Sequence, residues 1–351
     1  MDVKEKIKKN TISNSLKIYQ KPLNFMDFCA GIGGGRLGLQ NIGMKCIGFS
    51  EIDKKAEKTY KLFFGEDEIN YGDLMKIDAN KLPEFDVMIA GFPCQSFSIV
   101  GQRKGMVDTR GQIIYGLIKI LKEKHIKYFI LENVKGLVNH DKGNSLKIIL
   151  QELNNAGYNV SYKLLNSIDY NTPQHRERIY FVGIRKDIPI DNFEFPEPTP
   201  TPDIRKYLVD NDDQYIFNES QRNFNTFEKY LLNKYNIGQY KINQLLKNDF
   251  EVIDTRQSDL RIYKGRIPTL RTGRHGVLYV KDGNFRKLSG YEALLLQGFP
   301  KQYAKKTKGI IQDSHILAQA GNAMTASVVE EIGKKLLNHI EVSYENKRGF
   351  N

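Results

Sequence analysis

A short apolar run, Asn24 to Cys29, ends in the turn Gly31-Ile32-Gly33-Gly34-Gly35, and a helical stretch carrying Leu37 and Leu39 follows. Strand, glycine-rich turn and helix in that order form a βα unit whose turn aims backbone N–H groups at an anionic or polar group. The rhythm then repeats. Met44 to Phe49 ends at Glu51 and leads into a helical segment from Lys54 to Phe64. Further apolar runs lie at Asp86 to Ala90 and Tyr128 to Leu131, with a helical stretch near Gly111 to Lys124 between them. Strands alternating with helices predict an α/β fold, a doubly wound and mostly parallel sheet with right-handed crossovers. Val160 to Leu165 and Ile179 to Ile184 read as later strands at one edge of a mixed sheet.

Beyond this the composition shifts. Between Ile188 and Tyr215 lie five of the eleven prolines, with seven acidic and two basic residues, the signature of a linker or surface excursion. A polar, Asn-rich and Tyr-rich stretch runs on to about Leu260 with little βα rhythm. From Arg256 to His275 six basic residues face Asp259 alone, and Ile316 to Ile340 is an apolar-periodic helix candidate. The expected organisation is a basic leader (1–21), a first domain (22–187), a smaller domain (188–310, variable over about 188–262) and a C-terminal segment (311–351) returning to the first.

The 351 residues carry 53 Lys plus Arg against 41 Asp plus Glu, a formal net charge of +12, and 40% are hydrophobic. That is too apolar for a disordered polyelectrolyte and long enough for one or two real cores. No apolar run approaches the ~20 residues of a membrane span. The leader has no apolar segment or cleavage site of a secretory signal. Three cysteines, Cys29, Cys46 and Cys94, are too few for a disulfide scaffold, and none has zinc spacing, so no metal is expected. The expectation is a soluble, reduced, intracellular protein whose charge fits a polyanionic partner.

Three places carry candidate chemistry. Gly31 and Glu51 have the separation of a glycine turn and an acid that binds ribose hydroxyls, which suits either a nicotinamide cofactor or S-adenosylmethionine. The literal G-x-G-x-x-G from Gly33 to Gly38 starts too late, inside the expected helix. Cys94, in Phe92-Pro93-Cys94-Gln95, falls where a strand ends, and is either a nucleophile or a small buried hydrophobe. Glu132 ends the next strand, as an acid of the same cleft or a solvated loop residue. In Gln174-His175-Arg176-Glu177-Arg178, alternation puts Gln174, Arg176 and Arg178 on one face, or the segment is an exposed strand start.

These residues stand inside ordered motifs. They are Asp27-Phe28-Cys29-Ala30-Gly31-Ile32-Gly33-Gly34, Gly91-Phe92-Pro93-Cys94-Gln95-Ser96-Phe97-Ser98, Glu132-Asn133-Val134, Gln174 to Arg178, Leu296-Gln297-Gly298-Phe299-Pro300 and Gly321-Asn322-Ala323. In this order they resemble the motifs of the bacterial DNA cytosine-5 methyltransferases of restriction-modification systems. The match covers the chain except the leader and about Ile188 to Leu260. The resemblance implies a Rossmann-like, S-adenosylmethionine-dependent methyltransferase fold with a smaller DNA-recognition domain. It also implies methyl transfer from S-adenosylmethionine, leaving S-adenosylhomocysteine, to C5 of a flipped-out cytosine in a specific double-stranded DNA sequence.

By the same resemblance Cys94 attacks C6 as a thiolate, and Glu132 protonates or hydrogen-bonds N3, for which a desolvated pocket must raise its pKa. Arg178 holds cytosine O2, with Arg176 positioning its neighbours. Phe28, Ala30, Gly31, Ile32, Gly33 and Gly34 line the cofactor, Glu51 beside Ile52 takes the ribose, and Asp73 beside Leu74 takes the adenine amine. Pro93, Ile113 and Asn322 complete that set. Cys29 stands where the family usually has Phe, so an aromatic contact is missing and weaker cofactor binding is expected. Ser96 to Arg110, carrying Ser98, Arg103 and Lys104, looks like a loop closing over DNA, with Gln95 before it. Arg256, Arg261, Arg271 and Arg274 supply phosphate or base contacts. A relative acting on transfer RNA would usually carry Cys-Phe-Thr in the variable segment, which holds no cysteine here. A decayed, DNA-binding scaffold is disfavoured because Cys94, Glu132, Arg176 and Arg178 are all present. The expectation is a cytoplasmic monomer; whether a cognate restriction endonuclease accompanies it is left open by the sequence, and such a partner would share its DNA site without having to contact it.

Overall fold

The computed structural model describes residues 22–93, 113–189, 193–234, 238–255, 259–273 and 276–348. Within them the chain divides into two compact units. The first runs up to Leu165, resumes over Glu177–Pro198 and closes from Ala323 onward; the second is Asn166–Arg176 plus Thr199–Asn322.

In the first unit come β1 (Asn24–Phe28), α1 (Gly34–Asn41), β2 (Lys45–Ser50), α2 (Lys54–Phe64), β3 (Val87–Gly91), α3 (Ile113–Glu123), β4 (Tyr128–Val134), α4 (Asn144–Asn155) and β5 (Tyr158–Asn166). The chain then passes through β6 (Gln174–His175) in the second unit and returns as β7 (Glu177–Arg185). The sheet order is β2-β1-β3-β4-β7-β5. β1 pairs parallel with β2 and β3, β3 pairs parallel with β4, and β4 pairs antiparallel with β7. This is the mixed, mostly parallel sheet expected. Val87 to Ala90 and Phe129 to Leu131 are wholly buried, as strands covered on both faces must be, which is why they read as unbroken apolar runs. Chain order reverses beside β1, and crevices at the carboxyl ends of strands at such a reversal are where open α/β sheets bind ligands.

The expected helix Ile316 to Ile340 is two helices. The second, Ala326–Arg348, belongs to the first unit and packs on α1. Glycine makes that approach feasible. A Cβ on Gly38 would lie 2.6 Å from the Ala326 carbonyl oxygen, one on Gly35 2.5 Å from Met324 Cε, and one on Gly34 would overlap the Met324 carbonyl oxygen.

In the second unit β8 (Val252–Thr255), β9 (Leu260–Tyr263), β11 (Val277–Lys281) and β12 (Asn284–Lys287) form an antiparallel sheet in the order β12-β11-β8-β9, while β10 (Ile267–Pro268) pairs parallel with β6. Its strands alternate between two cores. Ile253, Leu278 and Val280 pack with Phe224, Phe227 and Leu231 of α5 (Arg222–Asn233) and Leu245 of α6 (Ile242–Leu245). Val252, Val277 and Tyr279 pack with Ala293 of α7 (Gly290–Leu295), Leu296 and Ala320. α8 (Lys301–Thr307) and α9 (Asp313–Asn322) complete the unit. Its limits differ from the 188–310 read from composition. β6 is held by β10, with Ile267 N–H donating to the Pro173 carbonyl at 2.8 Å, and α9 packs on α7.

Gly34→Ala should cost about 1–3 kcal/mol by overpacking the α1 contact. Thermal unfolding reads it as a lower Tm; an unchanged Tm would refute this account of the glycine run.

Candidate active site

Glu132 and Arg178 meet where β4 ends and β7 begins. In the β4–β7 ladder Glu132 stands opposite Tyr180 and Val134 opposite Arg178, so the pair is a diagonal neighbour on one face. Arg178 Nε lies 3.0 Å from Glu132 Oε1, with the side chains 14% and 10% exposed. Arg178 Nη1 also donates to the Glu177 carbonyl at 2.8 Å. β3 ends beside them. Gly91 is in register with Glu132, and Phe92 N–H donates to the Glu132 carbonyl at 3.2 Å. Asn133, buried in the same strand, donates from Nδ2 to the Phe92 carbonyl at 3.0 Å and accepts from Val134 N–H at 2.8 Å. It pins the chain as it leaves β3 for the exposed Pro93. Cys94 comes next and lies outside the described residues, as do Gln95, Ser98, Arg103, Lys104, Arg256 and Arg274.

At the carboxyl ends of β1 and β2, Gly31 (φ 57°) donates its N–H to Glu51 Oε2 at 2.7 Å. Glu51 Oε1 accepts from the amides of Ile52 at 2.9 Å and Asp53 at 2.8 Å. Asn70 fixes the backbone behind it, accepting from Glu51 N–H at 3.0 Å and Gly72 N–H at 2.9 Å and donating to the Glu51 carbonyl at 3.0 Å. A carboxylate has about four acceptor positions, so one remains once these three amides are bound. A Cβ on Gly31 or Gly72 would meet nothing within 4 Å, so space is open at both. An acid with a free acceptor position beside open backbone fits a ligand bearing hydroxyls, such as a nucleoside.

The chain's sequence matches the model of the C-5 cytosine-specific DNA methylase family over residues 23–338. The chain belongs to that family. It is 51% identical over 176 residues to the orphan methyltransferase M.Rho11sI of Bacillus phage rho11s, covering 49% of this chain and 35% of that protein, so it spans about a third of that relative. It is 34% identical over 333 residues to the type II methyltransferase M.DsaV of Dactylococcopsis salina, covering 93% and 90% of the two. In fold it resembles an Entamoeba histolytica methyltransferase, with a TM-score of 0.68 at 20% identity over 92% of this chain and 99% of the other.

Within this family's motifs the chain distributes its residues unevenly. Phe28, Ala30 and Ile32 bury their side chains, Phe28 with its ring 6.1 Å from that of Phe85, so these three offer a ligand only main chain. Gly33 and Gly34 are also less open than the resemblance implied. A Cβ on Gly33 would overlap the Phe64 ring, its N–H is spent on the Ala30 carbonyl at 2.9 Å, and Gly34 lies under Met324. Ile52 is 69% exposed, Leu74 is buried, and Ile113 is half-buried at the start of α3. Asp73 is half-buried and accepts from Met75 N–H at 3.0 Å. Asn322 is exposed at the end of α9 in the second unit, where Arg261 also lies, paired with Asp259 at 2.9 Å, and Arg271, exposed. Arg176 departs most from expectation. It belongs to the second unit, is buried there, and falls in neither strand, between β6 and β7, so the strand over which the alternation was read is interrupted at it.

Electrostatics separates the cysteines. Cys29, in a left-handed backbone conformation (φ 50°), is pushed up to about 12 by burial and by the negative charges of Glu51, Asp27 and Asp73. Burial lifts Cys46 to about 11. Asp27, wholly buried in β1, is raised well above the usual carboxylate range by burial, against the pull of the Arg36 charge and amide.

A carboxyl raised in the folded state stabilises the fold fully below its unfolded pKa of about 3.9 and loses that contribution as pH climbs through the folded value. Asp27→Asn keeps an acceptor and removes the ionisation. The Tm of the variant minus that of the parent should widen steadily from about pH 4 upward. A gap constant with pH would reject the assignment.

Proposed function

We propose that this chain transfers a methyl group from S-adenosylmethionine to C5 of a flipped-out cytosine in double-stranded DNA. The observation that carries the reading is the Glu132–Arg178 pair at the carboxyl ends of β3 and β4, with Asn133 fixing Phe92 two residues before Cys94. Cytosine C5 is a poor nucleophile. A thiolate adding at C6 forms the S–C6 bond and moves ring electron density toward C5 and N3. The family motif assigns that attack to Cys94, while burial raises the pKa of both Cys29 and Cys46.

Glu132 takes the role of partner to N3 and the exocyclic amine. Arg178, committed through Nε to Glu132 and through Nη1 to Glu177, keeps further guanidinium N–H groups for cytosine O2. S-adenosylmethionine supplies the activated methyl group. Glu51 takes its ribose hydroxyls, Asp73 its adenine amine, and Gly31 leaves room beside it; with Cys29 in the turn no aromatic face is offered. Transfer of the methyl to C5 breaks its bond to sulfur and leaves S-adenosylhomocysteine; a base then takes the C5 proton, the C5–C6 double bond reforms and the S–C6 bond breaks, releasing Cys94 as thiolate. Flipping the base costs a few kcal/mol. The second unit, through Arg261 and Arg271 together with Arg256 and Arg274, binds the duplex, mostly at phosphates. The setting is a monomer in the bacterial cytoplasm, serving as the methylase of a restriction-modification system whose endonuclease shares its DNA site.

Fluorine at C5 blocks the proton loss that frees the enzyme. Incubation with S-adenosylmethionine and a duplex containing 5-fluorocytosine should therefore give a complex that survives denaturation, and Cys94→Ser should give none while still binding DNA. A trapped complex with the variant, or none from the parent on any cytosine duplex, would sink the mechanism.

A further inference from the structure

The chain passes between its two units at four places: Leu165 to Asn166, Arg176 to Glu177, Pro198 to Thr199 and Asn322 to Ala323. On the side of the second unit all four ends are fastened to one segment, Asn166–Arg176. Arg176 N–H donates to Asn166 Oδ1 at 2.9 Å, and Ser167 N–H donates to the Arg176 carbonyl at 2.9 Å, which ties the first crossing to the second. Thr199 donates to the Asp169 carbonyl twice, from its amide at 2.7 Å and its hydroxyl at 3.1 Å, which ties in the third. The Arg176 guanidinium ties in the fourth. It is 2% exposed, and Nη1 and Nη2 each lie 3.2 Å from the Gly321 carbonyl oxygen, while Nη1 also reaches that of Leu270 at 3.1 Å. Gly321 is drawn close, since a Cβ there would lie 2.5 Å from the Arg271 carbonyl carbon.

A buried charge held by main-chain carbonyls is expensive to place and needs its planar fork satisfied, which a lysine ammonium cannot do at two carbonyls in the same way. Nothing in the chemistry of cytosine requires that expense in the second unit. We propose that Arg176 is a positioning residue for the reaction: it gathers the four connections of the second unit into a single anchor, from which the chain runs two residues on to Arg178. This deepens the methyltransferase reading and rests on it for its use, though the anchor itself does not.

The test compares Arg176→Lys with Glu292→Gln in the full chain. Glu292 is buried in the second unit, accepting from Tyr279 Oη at 2.9 Å, Asp210 N–H at 2.9 Å and Ser289 N–H at 3.1 Å, and touches no crossing. It therefore reports destabilisation of that unit alone. Hydrogen exchange is followed at the amides of Ser167, Arg176 and Thr199, and kcat and KM for DNA are measured well below both melting temperatures. The anchor predicts faster exchange at all three amides in Arg176→Lys and in none of them in Glu292→Gln. For Arg176→Lys kcat should fall roughly tenfold, the size of effect that coupling residues show, with KM for DNA little changed. Unchanged exchange in Arg176→Lys overturns the anchor, as does a loss of kcat no larger than that of Glu292→Gln. If the parent transfers no methyl group, the reading of the reaction fails, and the exchange data still decide the anchor.

Discussion

Glu132 and Arg178 can pair only because β7 runs against β4 in a sheet whose other described pairings, among β1 to β4, are parallel. Parallel strands all deliver their carboxyl ends to one edge. An antiparallel neighbour begins at that edge, so its first residues arrive where β4 delivers its last. With side chains 14% and 10% exposed, neither charge can lose the other cheaply; breaking a buried pair typically costs about 3–5 kcal/mol. The same strand end carries Asn133, which fastens the exit of β3. Strand direction, ion pair and exit geometry are thus one arrangement, and a site assembled here inherits its precision from the sheet.

The glycine turn shows how a motif can serve two masters. Gly31 borders open space and needs its positive φ to present its amide to Glu51. Gly33, Gly34, Gly35 and Gly38 answer instead to Phe64, Met324, Ala326 and Val329. Thin backbone on α1 lets the chain returning from the second unit lie against the helix that starts at the turn, so the turn is braced from behind by residues almost 300 positions away. Glu51 is braced in turn by Asn70, which had no motif to mark it.

The alternation of apolar runs and helical stretches was enough to reveal the first sheet, because fully buried parallel strands have to be apolar throughout. β1 to β4 and the placement of Glu51, Phe92 and Glu132 at strand ends follow from it. The second unit hid its architecture for a physical reason. Its strands are short and alternate between two cores, so Val252 and Ile253 read as a brief apolar pair and Val277 to Val280 as a run of four, with no βα rhythm around them. The stripe Phe224, Phe227 and Leu231 had helical spacing, the one signal there that could have been found. Arg176 misled because alternation carries a side chain's direction only while the strand continues. The chain leaves one unit for the other between Arg176 and Glu177, and Arg176 itself belongs to neither β6 nor β7. Asn133 and Asn70 act through side-chain bonds to distant main chain, which no local pattern records.

What distinguishes one thiol from another in this chain is its surroundings. Cys29 sits in the turn nearest the proposed cofactor, where an accessible thiolate would be a hazard beside an activated methyl group. Burial and the converging charges of Glu51, Asp27 and Asp73 hold it protonated, with its pKa pushed up to about 12. Glu51, the acid proposed to take the ribose, therefore has a second effect, raising the cost of ionising the neighbouring sulfur. Cys46 reaches a similar state mainly through burial, with Arg36 pulling the other way. Burial is the larger cause at both cysteines, and the acidic lining of the turn adds to it at Cys29.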